Sequence, residues 1–302
     1  MRTPLHPALA TALIAAGCGR DRAHLQIGVA LPVDSGAFIQ EVRRGLQRPA
    51  DSLGFELLVA NAGGDTARQA AQVDSLVAQR VAAVVIDPVD GTAIAAAVAR
   101  ANRAHVPVFT LVDAVEGEGA VVSHIGSDDR MGGELVGWYV AQRLKGGGNV
   151  AILDQPRAAS ARDRLAGLRL AFSRFPNIRI VASPAVEPAS REAARQKTAT
   201  LLAADQRIDA FVGATDDLAL GALDGVQAAG RKDVLVAGFG ASPEARAAIL
   251  QGTALVADVA PDPYTIGRYA LLVAASHLRS NRVASLVPVP VRLVNRDSLA
   301  AP

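Results

Sequence analysis

Aromatic residues are scarce in this chain, at 4% of 302 residues, and it holds one cysteine, one tryptophan and two methionines. One cysteine cannot close an internal disulfide, so the fold must be held by its core. Nucleotide chemistry lacks its usual loops: no GxxxxGK[ST] segment occurs and no apolar run leads into GxGxxG. The nearest match, Gly238-Phe239-Gly240, runs into Pro243 and lacks the third glycine. Five histidines (His6, His24, His105, His124, His277) are scattered without ligand spacing, which argues against zinc. No GxSxG nucleophile elbow is present. No stretch reaches the roughly 20 apolar residues that a membrane helix needs. The formal net charge is only +2 and the basic residues are dispersed, so phosphate-backbone binding is not expected.

Apolar side chains are plentiful. Half of the residues are hydrophobic and a fifth are charged, enough for a sizeable core, and the length suggests about two domains. At the start, Met1-Arg2 is followed by an alanine-rich apolar run at 8–16 and then by Gly17-Cys18. This order reads as a secretory signal peptide over 1–17, and it resembles a bacterial lipoprotein signal in which Cys18 becomes the lipidated first residue. Residues 18–24 would be a tether, and the mature protein would sit outside the cytoplasmic membrane.

Beyond the tether the chain repeats itself. Leu25–Leu31 (LQIGVAL), a polar loop, a helical stretch and 55–60 (FELLVA) are matched by 149–155 (NVAILDQ), a loop, a helical stretch and 178–183 (IRIVAS). Segment 82–113 is matched in the same way by 209–240. Continuous apolar strands alternating with amphipathic helices predict parallel sheets built from right-handed βαβ units. The expected fold is α/β, with two Rossmann-like lobes meeting around residues 121–133. Within it, Pro49 should kink or break the first helix, helices are expected at 65–79, 92–103 and 131–144, and the proline-broken tail 286–294 should be an edge strand. His124, beside Ser123, is read as structural at the crossing between lobes.

Ligands in such sheets bind beyond the carboxyl ends of the strands. The polar residues there are Asp113, Arg157, Arg162, Arg164, Thr215, Asp216 and Asp217, with Phe38 opposite. Carboxylates and guanidinium forks pair with neighbouring hydroxyls, and an aromatic ring covers the C–H face of a sugar. This is equipment for holding a small polar molecule. Asp216 is read rather as a helix N-cap.

Four stretches, 106–141, 160–172, 215–223 and 234–245, carry a family resemblance. The chain resembles the periplasmic sugar-binding proteins of the ribose/galactose type, the substrate receptors of ABC importers. The resemblance implies the type I periplasmic binding fold, with three crossings near Ser127, Val259 and Pro290. It implies an N-terminal lobe of 25–127 plus 260–290 and a C-terminal lobe of 128–259 plus 291–302. It also implies ligand contacts from Phe38, Asp113 and Arg164, with Thr215 at a position where the family has asparagine and Arg162 nearby. Further positions depart from the family pattern: Ile39, Ala114, Gly240 and Pro261 stand where it has an aromatic, an arginine, an aspartate and a glutamine, its asparagine before Phe38 is replaced near Gly36, and Pro188 and Ala189 stand where it has an aromatic.

Hinge closure on a sugar or sugar derivative, without catalysis, cofactor or metal, is the expected activity of a monomer that serves a membrane permease. A sensor that feeds a chemoreceptor or kinase is the alternative. A transcription regulator would need a DNA-binding helix pair, for which the 24 residues before Leu25 leave no room. Because Arg157, Arg162 and Arg164 cluster at one helix start, a larger or acidic sugar derivative is expected to bind better than ribose.

Overall fold

A computed structural model describes residues 25–204 and 207–300. The first unit runs β1 (Leu25–Leu31), α1 (Ala37–Leu53), β2 (Phe55–Asn61), α2 (Thr66–Ala78), β3 (Ala83–Ile86), α3 (Ala95–Arg103), β4 (Val108–Leu111) and β5 (Ser123–Ser127). The second runs α4 (Asp129–Arg143), β6 (Gly147–Leu153), α5 (Ala159–Phe172), β7 (Asn177–Ala182), α6 (Arg191–Ala203), β8 (Ala210–Gly213), α7 (Asp216–Ala228), β9 (Leu235–Phe239), α8 (Pro243–Leu250) and β10 (Leu255–Ala260). The chain closes with α9 (Pro263–Leu278), β11 (Leu286–Val289), β12 (Arg292–Asn295) and α10 (Arg296–Ala300).

The strands form two six-stranded sheets, ordered β11-β5-β4-β3-β1-β2 and β12-β10-β9-β8-β6-β7. Strand pairs are parallel except β10 with β12. The central strands are fully buried, as continuous apolar runs covered by helices on both faces should be. The chain passes between sheets three times: from Ser127 to Asp129, from Ala260 to Pro263 and from Val289 to Arg292. After the second passage α9 returns to the first unit, where Ile266, Ala270 and Leu271 join Ile27, Val29 and Leu46 in one core.

Three sequence expectations are corrected. The first helix stays continuous through Pro49, whose ring is buried. Pro49 lies only four residues from the end of α1, so the hydrogen bond it removes falls in the last turns rather than the middle of the helix. The 92–103 helix begins later, at Ala95, because the Asp90 carboxylate accepts from the Thr92 and Ala93 amides and holds residues 91–94 as a turn. The tail is two strands rather than one: β11 borders β5, whereas β12 crosses over to border β10. Pro290, lacking an N–H for either ladder, lies between them.

Helix contact fixes the geometry of the second lobe. Gly133 of α4 and Gly167 of α5 face each other so closely that a Cβ on the first would overlap the Arg164 carbonyl, and one on the second the Arg130 carbonyl. The helix starts that carry Asp129 and Arg164 are therefore pressed together.

Candidate functional site

A cavity of about 290 Å³ lies between the lobes at the carboxyl ends of their strands. Phe38 and Asp113 line it from one lobe, Arg164, Thr215, Phe239 and Gly240 from the other, and Ser127, Pro261 and Val291 from the three crossings. Four of the residues singled out in the sequence thus share one chamber: Phe38, Asp113, Arg164 and Thr215.

Asp113 is aimed by a bend. Val112, just past β4, adopts φ 62, a left-handed conformation unusual for a β-branched residue, while its amide still donates to the Ile125 carbonyl. Asp113 Oδ1 is buried and has no hydrogen-bond partner. Such an acceptor costs free energy unless a ligand supplies a donor. Behind it Asp87 ends its own strand 3% exposed. Burial, then the neighbouring Asp113 charge, pushes the Asp87 carboxyl well above the usual carboxylate range.

Arg164 faces Asp113 from α5. Its Nε donates to Asp129 Oδ1 at 2.7 Å, its Nη1 to the Ala214 carbonyl at 2.9 Å, and its guanidinium lies 5.4 Å from the centre of the Phe239 ring. Burial pushes the Asp129 pKa up, and the Arg164 charge only partly opposes this. The guanidinium is thus locked in plane and its charge met by a carboxylate, so it offers directed donors more than net charge.

Thr215, not Asp216, caps α7: its hydroxyl accepts from the Leu218 amide at 3.4 Å. That leaves its O–H free to donate towards the cavity. The Asp216 carboxylate instead accepts from the Ala241 and Ser242 amides at 3.1 and 2.6 Å. It fills the space beside Gly240, where φ is 136 and an added Cβ would fall 2.8 Å from the Asp216 carboxyl carbon. Below it Asp258 is fully buried, with Oδ1 on the Ala241 amide and Oδ2 unpartnered. Burial, followed by Asp216, raises the Asp258 pKa strongly.

The other arginines do not join Arg164. Arg162 pairs with Glu116 of the opposite lobe and donates Nη1 to the Pro156 and Arg157 carbonyls at 3.0 and 3.1 Å. Arg157 pairs with Glu187 at 3.1 Å. Both line a second chamber, further out. The arginine cluster behind the expected preference for a larger or acidic sugar derivative is not formed: each arginine has its own carboxylate, and the inner cavity holds Asp113 and Asp129 with one guanidinium. His124 is structural, its Nδ1 lying 2.9 Å from Thr110 Oγ1 and its pKa lowered by burial. Cys18 lies outside the described residues.

Sequence reading missed Asp129, Gln155 and Phe239 as lining residues. Asp129 sits beside the cap Asp128 and reads as a second helix-start acid. Phe239 ends the apolar strand β9, where an aromatic reads as core rather than as cavity lining.

The model of the periplasmic binding protein domain matches residues 27–282. The ribose import binding protein of Salmonella typhimurium strain LT2 is 34% identical over 260 residues, 85% of this chain and 86% of that protein. A solute-binding protein from Actinobacillus succinogenes 130z with bound D-allose superposes with TM-score 0.80 at 26% identity, over 91% of this chain and 98% of that one. The Caulobacter myo-inositol binding protein, with its ligand, gives TM-score 0.80 at 27% identity over 92% and 95%. Two parallel-sheet lobes, three crossings and a cavity at their strand ends agree with these relatives in sequence and in fold, and the chain belongs to the periplasmic binding protein family.

Proposed function

We infer that this chain is the extracytoplasmic substrate-binding protein of an ABC importer and closes its two lobes on an uncharged sugar or sugar derivative. One observation carries the ligand class: one cavity is lined both by Asp113, whose Oδ1 is buried and unpartnered, and by a guanidinium already neutralised by Asp129. That pair suits hydroxyls, which donate to the carboxylate and accept from Arg164, whereas an anion would meet the uncompensated Asp113. Phe38 and Phe239 offer apolar faces to ring C–H groups, and Thr215 adds a donor. Arg162 is assigned to bridging the lobes rather than to gripping the inner ligand.

The mechanism is differential contact. A ligand held by Phe38 and Asp113 on one lobe and by Arg164 and Thr215 on the other binds best when the lobes approach, and so shifts the population towards the closed form. The closed form is what a membrane permease would recognise, and Cys18 would tether the protein to the membrane where that permease sits. No chemistry on the ligand is required.

Small-angle scattering with calorimetry tests this. Ribose, allose and myo-inositol, set beside glucuronate, should include a neutral compound that saturates the protein and reduces its radius of gyration, while glucuronate does neither. Glucuronate closing the lobes, with no neutral sugar doing so, would refute the assignment.

A further inference from the structure

The inner cavity is not the end of the cleft. A second chamber of about 510 Å³ adjoins it, and Asp113, Gln155 and Ala158 line both. At 290 Å³ the inner cavity sits at the small end of ligand pockets, about 300–1,000 Å³, and the two spaces together lie well inside that range. Next to Asp113, Ala114 lines the outer chamber, and its side chain, which reaches no further than Cβ, leaves that space open.

The outer walls are held in place from both lobes. On one side the Glu116 amide donates to the Gly91 carbonyl at 3.0 Å, tying the loop after β4 to the loop before α3. On the other side Arg162 is fixed by two carbonyls of its own loop. Glu116 and Arg162 then meet, and among the described residues theirs is the one ion pair that joins the two lobes. The bridge therefore joins the two walls of the outer chamber, which stays open to solvent beside Arg157. Its charges are mixed in sign: Arg157 and Arg162 each have a carboxylate partner, while Asp90 and Asp113 have no cationic one among the described residues, so it favours hydroxyl donors over an anion.

We propose that the outer chamber is a second ligand subsite, so that the cleft takes an elongated uncharged glycoside: one sugar ring in the inner cavity and a second polar ring between Asp113 and the Glu116–Arg162 bridge. The proposal rests on reading the inner cavity as a sugar site and extends it outward. The second ring would gain donors from Arg157 and Arg162 and acceptors from Glu116, in a space that a monosaccharide leaves to water.

The test is calorimetric titration of the purified protein with monosaccharides (ribose, glucose, galactose) beside disaccharides (lactose, melibiose, cellobiose, trehalose). At least one disaccharide should bind tenfold or more tightly than either of its component sugars. Ala114→Phe, which puts a ring into the outer chamber and does not border the inner cavity, should abolish that gain while monosaccharide affinity stays within about threefold. If Ala114→Phe lowers the melting temperature, Glu116→Ala serves instead and should cut disaccharide affinity selectively. Monosaccharides binding as tightly as disaccharides would overturn the outer subsite and leave the sugar-receptor reading intact. Binding of neither would overturn both.

Discussion

Asp129 is the residue that decides what kind of ligand the inner cavity admits. It holds Arg164 Nε at 2.7 Å and cancels its charge in a largely buried setting. Asp129→Asn keeps an acceptor for the guanidinium but removes the carboxylate, so the site gains one unit of positive charge. Glucuronate should then bind measurably where it did not before, by a margin of about 1.5–3 kcal/mol for a charged hydrogen bond, while neutral-sugar affinity changes less. Titration of both variants with glucuronate checks this.

Asp258 behaves differently, because its strongly raised pKa comes from burial and then from Asp216. A carboxyl whose folded pKa is raised contributes stability that is fully present below its unfolded pKa and is lost as pH rises through the folded value. As pH rises above the ordinary carboxylate range, the protein therefore carries the cost of holding this proton, or of burying the charge, beside Asp216. Asp258→Asn keeps the acceptor for the Ala241 amide, removes the titrating charge and offers an N–H to the neighbouring Asp216 carboxylate. Its melting temperature should exceed that of the parent at pH 8, and the difference should shrink towards pH 4. A variant less stable than the parent at pH 8 would contradict this origin of the shift.

At the scale of elements, α4 and α5 act as one clamp. Both end-on residues of the Asp129–Arg164 pair sit at helix starts that the glycine contact between Gly133 and Gly167 brings together. Gly133→Ala should force the helices apart, at a cost of about 1–3 kcal/mol of stability, and should also weaken sugar binding. Denaturant melts and titration of the same variant would show both effects, whereas Gly64→Ala, on an open turn with nothing near its Cβ position, should leave sugar binding unchanged. The strands and their parallel arrangement were readable because buried parallel strands are near-continuous apolar runs, as LQIGVAL and VLVAGF show. Boundaries set by a single side chain were not. The start of α3 depends on where the Asp90 carboxylate turns, and the division of the tail into β11 and β12 depends on which sheet edge is open.

The whole molecule is two lobes around a cleft, and the cleft is where sequence reading succeeded and failed most instructively. Phe38, Asp113, Arg164 and Thr215 were recognisable because each follows a strand, and strand ends converge. The three arginines near 160 looked like one cationic cluster because spacing along a helix start gives proximity but not direction. In space Arg157 turns to Glu187, Arg162 crosses to Glu116 and only Arg164 enters the cavity. At the same scale, tethering through Cys18 predicts that Cys18→Ser releases the protein from the membrane fraction or blocks its processing. Unchanged partitioning with membranes would contradict the tether.

Asp113 tests sugar binding in the cleft most directly, because its buried, unpartnered oxygen is the feature a ligand must satisfy. The measurement is calorimetric titration of the parent and Asp113→Ala with the neutral sugar that binds the parent best, at matched melting temperature. Loss of this charged acceptor should cost about 2–3 kcal/mol, a weakening of roughly 30- to 150-fold. A folded Asp113→Ala protein with the parent's affinity would mean that the sugar is held elsewhere.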